Sequence, residues 1–82
     1  MKVEVLFFGV LRKRAGEARR PVVLDEVPAT AGELRAALSK ALPELGDLGS
    51  VAIAIGDELL GDSDRLSDTV AEVALLPPVS GG

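Results

Sequence analysis

The amino-acid sequence predicts an α+β domain: one mixed sheet with a single main helix packed on one face. Three observations lead there. The chain has 82 residues, enough for one domain. Its hydrophobic residues make up 48% of the chain and fall in short strand-like runs, broken once by a helical pattern. The runs come in the order strand, strand, helix, strand, strand, strand. A domain this small buries only about 60–65% of the surface its unfolded chain exposes. With no cysteine and no histidine, it has no disulfide or thiolate–imidazole metal staple, so an ordinary apolar core must hold it.

The first strand is KVEVLFFGV, Lys2 to Val10. Val3, Val5 and Phe7 alternate with Lys2 and Glu4, and Leu6 and Phe8 then make the second half apolar on both faces, as in a central strand. Leu11 to Glu17, with its charges, Ala15 and Gly16, reads as a turn. Pro21-Val22-Val23-Leu24 is a second strand. Pro21 has no N–H for a ladder, so this strand starts there or lies at an edge, and the short connection makes the first two strands a hairpin.

Thr30-Ala31-Gly32-Glu33 has the form of a capping box, in which the Thr30 hydroxyl accepts from the Glu33 N–H and the Glu33 carboxylate reaches back to the Thr30 N–H. Leu34, Ala37, Leu38, Ala41 and Leu42 follow at the spacing of one helix face. Pro43 ends the helix, and residues 43–50, with Gly46 and Gly49, read as a loop. Val51 to Ile55 is a third strand, Gly56-Asp57-Glu58 turns the chain, and Leu59-Leu60 begins a short partner strand. Residues 61–68 are polar and loop-like, and VAEVALL, Val70 to Leu76, is the last strand. Parallel pairing of the first and last strands at the centre explains both apolar runs. Order, length and composition together suit a β-grasp, ubiquitin-like fold, with residues 1–76 as the domain and residues 77–82 as an extended, flexible Gly-Gly tail.

Composition narrows the chemistry. Without cysteine there is no thiolate nucleophile or thiolate metal site, and without histidine the commonest general base near neutral pH is missing. Asp57, Glu58, Asp62, Asp64 and Asp68 fall in turns, where acids usually serve solvation and turn geometry. Asp62-Ser63-Asp64 lacks the glycine and distant glutamate of a calcium loop, so no metal site is assigned. The net charge of −4 argues against nucleic acid as partner and suits a basic partner protein. Arg12-Lys13-Arg14 and Arg19-Arg20 are local basic exceptions, best read as solvated. No apolar run approaches the roughly 20 residues of a membrane helix, and the start runs straight into a strand. The expectation is a cytoplasmic protein with no membrane partner.

The chain ends LLPPVSGG. Pro77 and Pro78 cannot extend a ladder and favour an extended, semi-rigid segment, which directs the chain away from the sheet as a stalk. Val79 offers one apolar grip and Ser80 a small polar one. Gly81 and Gly82 have no side chains, so a channel that admits backbone admits them. They present a carboxylate on an unhindered carbon. A terminal Gly-Gly arises by chance in about one chain in 200 and a frayed end is the bland alternative. The signal strengthens beside a Pro-Pro stalk and this strand order.

PPVSGG after Glu72-Val73-Ala74, the start VLFFGVLR (Val5 to Arg12) and the stretch Thr30 to Leu38 resemble the small subunit of molybdopterin synthase over essentially the whole chain. The thiamine-pathway sulfur carriers also end in Gly-Gly, usually without the proline pair. The resemblance implies a sulfur carrier that is not catalytic alone. A ubiquitin-activating-type adenylyltransferase would adenylate the Gly82 carboxylate with Mg·ATP, because a carboxylate is a poor electrophile until joined to AMP. A sulfur donor protein would then supply the atom that makes a terminal thiocarboxylate. The tail, with Gly81 and Gly82 reactive, would enter the large subunit of molybdopterin synthase and give its sulfur to a pterin precursor in molybdenum cofactor biosynthesis. No stably bound cofactor is expected, since Mg·ATP belongs to the activating partner. The alternative is a ubiquitin-like modifier or a sulfur carrier for thiamine or tRNA thiolation, which shares the same terminus.

The expected partner-binding residues are Phe8, Leu59, Leu60, Leu76, Pro77, Pro78, Val79 and Ser80. Phe8 faces opposite Val3, Val5 and Phe7. With Leu6, with Leu59 or Leu60, and with one of Leu75 and Leu76, it either forms an exposed patch beside the tail or is simply core and scattered surface.

Overall fold

In the computed structural model, which describes residues 1–78, the elements are β1 (Lys2–Phe7), α1 (Val10–Ala15), β2 (Arg19–Val23), α2 (Ala31–Ala41), a 3-10 turn (Pro43–Leu45), β3 (Ala52–Ile55), β4 (Glu58–Leu60) and β5 (Glu72–Leu76). The sheet order is β2-β1-β5-β3-β4. β1 and β5 run parallel, and the other three pairings are antiparallel. This is the β-grasp arrangement, with α2 across one face.

Period-two alternation sorts the strand residues. The register sets Val3 opposite Val22, Val5 opposite Val73, and Leu75 between Phe7 and Ile53. These side chains join Leu34, Leu38 and Leu42 of the helix region in one buried cluster. β5 is the middle strand, with β1 beside it. The two-sided apolar character of β1 has a different cause from the one the sequence suggests. Only one face is buried. Leu6 is half-buried and Phe8 is exposed, on a face that no helix covers.

Residues 11–17 are not a turn. Val10 to Ala15 form a short helix that sends Leu11 into the core. Gly16 ends it in the left-handed region at φ 79°, its N–H donating to Arg12 O at 2.9 Å. Six residues with one buried side chain carry too little periodicity to be read as a helix. β2 begins at Arg19 and lies at the sheet edge. Leu24 N–H donates to Met1 O and Phe7 N–H to Ala18 O, so even-numbered residues of β2 face β1. Pro21 therefore turns its missing N–H to the free edge, where it blunts further pairing.

The N-terminus of α2 differs from a full capping box. Thr30 Oγ1 accepts from Glu33 N–H at 3.2 Å, but the Glu33 carboxylate comes no nearer than 3.5 Å to the N–H of Ala29, not Thr30. The open helix donors at Ala31 and Gly32 are taken instead by the carbonyls of Asp64 and Asp62, at 3.0 and 2.9 Å. Gly32 permits this approach, since a Cβ there would lie 3.1 Å from Asp62 O. Ala41, assigned to the apolar face by spacing, is exposed. It lines an open groove with Ala37 and Lys40, while the following segment sends Leu45 and Leu48 fully into the core. Arg35 holds that segment down: its Nη1 donates to Leu48 O at 2.7 Å and also to Val51 O, while its Nη2 meets Asp62 at 2.9 Å.

Candidate functional site

The tail leaves the sheet from its middle strand, so its root is set by β5 and the two strands beside it. On the open face the register makes a row of Leu6, Ala74, Ala54 and Leu59. One step toward the C-terminal end of β5, Leu76 pairs with Ala52, and Phe8 follows the Phe7–Leu75 pair on the β1 side. Phe8 is 45% exposed and Leu59 65%, while Leu6, Ala52, Ala74 and Leu76 are half-buried. Leu59 and Leu60 part company. Leu60 pairs with Ile53 on the helix-facing side, while Leu59 joins the open face. Pro77 is half-buried and Pro78 exposed. Val79, Ser80, Gly81 and Gly82, all expected site residues, lie outside the described residues.

The opposite end of this face is polar. Arg19 Nε meets Glu4 Oε1 at 2.7 Å and its Nη2 meets Glu72 Oε2 at 3.1 Å. These exposed pairs contribute little stability, but they bound the apolar surface on the side away from the tail. An apolar centre with a polar border is the make-up of a protein-binding face. Phe8, Leu6, one of Leu59 and Leu60, and one of Leu75 and Leu76 are legible in the sequence as the members of such a patch. That Ala52, Ala54 and Ala74 floor the patch was not visible, because only the pairing register brings small residues of β3 and β5 side by side.

Little else on the molecule offers chemistry. Among the described residues no group of three or more acids, cysteines or histidines is placed to hold a metal ion, and no helix is long and apolar enough to cross a membrane. An open groove of about 650 Å³ runs between the end of β2 and α2, past Val23, Pro28, Ala37 and Lys40. It lies toward Lys2, which pairs with Val23, at the other end of β1 from Pro77. The clearest charge perturbation is structural. Arg20 binds Glu44 and Glu17 and stands over the Phe7 ring at 5.7 Å. Donating to the carboxylates of Glu44 and then Glu17 raises the Arg20 pKa. The bond from Arg20 holds the Glu44 carboxyl below its ordinary range.

A sequence model of the ThiS family matches residues 5–82. The chain belongs to the ThiS family. It is similar to the molybdopterin synthase sulfur carrier subunit of Synechococcus elongatus, with 36% identity over 87 aligned positions, 98% of this chain and 96% of that protein. Among solved structures it is similar to SAMP1, a small archaeal modifier protein of Haloferax volcanii, with 31% identity, a TM-score of 0.71 and full coverage of both chains. It is also similar to a chain in the complex of subunits 1 and 2 of the molybdopterin-converting factor from Helicobacter pylori, with 36% identity, a TM-score of 0.57 and full coverage of both chains. The protein is thus a ubiquitin-like sulfur carrier of the ThiS and molybdopterin-synthase type. The family match runs through the last residue, Gly82.

Proposed function

We propose that the protein is the sulfur-carrying small subunit of a molybdopterin synthase. The Gly82 carboxylate attacks the α-phosphate of ATP on a ubiquitin-activating-type adenylyltransferase, with magnesium on the nucleotide, and pyrophosphate leaves. Hydrosulfide supplied by a donor protein then attacks the acyl carbon and displaces AMP, which carries off one carboxylate oxygen and leaves a terminal thiocarboxylate. The large subunit receives the tail, and sulfur passes to a pterin precursor. The absence of cysteine agrees with sulfur carried on the terminus and not on a side chain.

The observation that carries this reading is the position of Pro77-Pro78. They continue the middle strand at the rim of the exposed apolar face, so a partner that covers Phe8, Leu59 and Leu76 also receives the tail. The Helicobacter pylori likeness, to a chain in a complex of subunits 1 and 2, supports the large subunit as that partner, and the Synechococcus relative supports the pathway. The location that follows is the cytoplasm, where ATP is at hand for the activating step.

The test is the intact mass of the chain after reaction with its cognate activating enzyme, Mg·ATP and a sulfur donor, with fragmentation to locate the change. Exchange of one oxygen for sulfur at Gly82 is expected. Deletion of Gly81 and Gly82 is expected to abolish it. Sulfur delivery to the pterin precursor on adding the large subunit then assigns the pathway. The likeness to SAMP1 favours one competing outcome, a covalent adduct between the terminus and a lysine of another protein, which would reassign the chain as a modifier.

A further inference from the structure

Gly9 joins β1 to α1 with φ 56° and ψ −133°, a combination close to the backbone region essentially confined to glycine. Its missing side chain is also occupied space. A Cβ at Gly9 would lie 2.9 Å from Pro77 Cγ and 3.7 Å from Pro77 Cδ. The proline ring is rigid apart from a small pucker, so it has little room to yield. Gly16 and Gly56 separate the two effects. They too have positive φ, 79° and 63°, yet a Cβ at either meets nothing within 4 Å. Those two serve backbone conformation alone, whereas Gly9 also makes room for the root of the tail.

We propose that Gly9 is a positioning residue for the reactive terminus: it forms the seat that lodges Pro77 and so sets the direction in which the tail leaves the sheet. This rests on the reading of Gly82 as the reacting group. Leu76, paired with Ala52, is the last residue in the ladder. Pro77 has no N–H with which to continue, so side-chain contact holds it. Five residues separate Pro77 from the terminus and reach at most about 17 Å. A tilt of about 10° at Pro77 therefore displaces the end by up to about 3 Å over that reach. Misplacement of a reacting group by about 1 Å can cost about 100-fold in rate.

The test compares Gly9→Ala, Gly16→Ala, Pro77→Ala and the double variant Gly9→Ala/Pro77→Ala in the full chain. NMR reads the contact between the Gly9 α-protons and the Pro77 ring and the residual dipolar couplings of residues 78–82. Kinetics read adenylation by the activating enzyme. Gly9→Ala is expected to lower kcat/KM about 10- to 100-fold and to change the couplings. Gly16→Ala carries the same kind of backbone penalty. It is expected to melt earlier yet to be adenylated at the wild-type rate. Removal of the ring in the double variant is expected to recover part of the loss. Equal slowing by Gly9→Ala and Gly16→Ala, or wild-type rates in Gly9→Ala, overturns the proposal. If Gly9→Ala fails to fold, Pro77→Ala decides. Changed couplings and slower adenylation at an unchanged melting temperature support the seat, and unchanged values overturn it. If no activating enzyme modifies even the wild-type terminus, the functional reading fails by itself. The couplings then judge the seat: a change confined to the position 9 and 77 variants supports it, and no change overturns it.

Discussion

The two faces of the sheet are built from the same strands and serve different ends. The face under α2 carries Val3, Val5, Phe7, Ile53, Val73 and Leu75, all buried. The other carries Leu6, Phe8, Leu59 and Leu76 over an alanine floor, with no helix or strand of the described residues upon it. Phe7 ends β1 and Phe8 follows it; the two side chains are chemically identical and differ only in the side of the sheet to which the backbone directs them. One is an anchor of the fold, and the other is half in water. Exposed apolar patches of this kind are where partner proteins commonly dock.

Substitutions on the two faces should therefore break different properties. Phe7→Ala is expected to produce the largest change, a loss of about 3–5 kcal/mol in folding free energy, read by urea denaturation. Phe8→Asp should leave stability within about 0.5 kcal/mol, yet weaken binding to the large subunit by about 2 kcal/mol or more if Phe8 is an interface anchor. Calorimetric titration measures this. A large stability loss from Phe8→Asp would erase the distinction between the faces. The helix that creates the asymmetry depends in part on its cap, and Thr30→Ala is expected to cost about 1 kcal/mol, seen as a lower denaturation midpoint with partner affinity unchanged.

The smallest effect concerns acid. The Glu44 carboxyl is held below its ordinary range, chiefly by the Arg20 hydrogen bond. Its contribution is thus present above the unfolded-state pKa and fades as pH falls through the lower folded-state one. Glu44→Gln should make the decline of stability with acid shallower below about pH 4.5, while binding through the open face stays unaltered. A profile as steep as wild type would show that this exposed pair does not couple to folding.

Much of the fold was legible because strand and helix periods are local. Val3, Val5 and Phe7 announce the buried side of β1, and Leu34 and Leu38 that of α2. Leu45 and Leu48 were harder to see, since three-residue spacing inside a Gly- and Pro-containing segment resembles a loop until Arg35 is found satisfying its carbonyls. α1 escaped for a similar reason: its single buried leucine leaves no period to count. Of the candidate site, Phe8, Leu76 and the proline pair could be named from the sequence. The separation of Leu59 from Leu60 could not, because it depends on which residue of β3 each one faces.

By itself the sequence determined the β-grasp class, the lack of thiol and imidazole chemistry, and a proline pair followed by Gly81 and Gly82 after the last strand. Those properties follow from composition and from patterns spanning a few residues. Tertiary structure alone decided the rest: the alanine floor of the open face, the helix donors taken by the carbonyls of Asp62 and Asp64, and the fit of Pro77 against Gly9. Each of these joins residues at least twenty positions apart. Such contacts depend on strand register and on close approach of backbones, which the packing of the whole chain sets and no local pattern encodes.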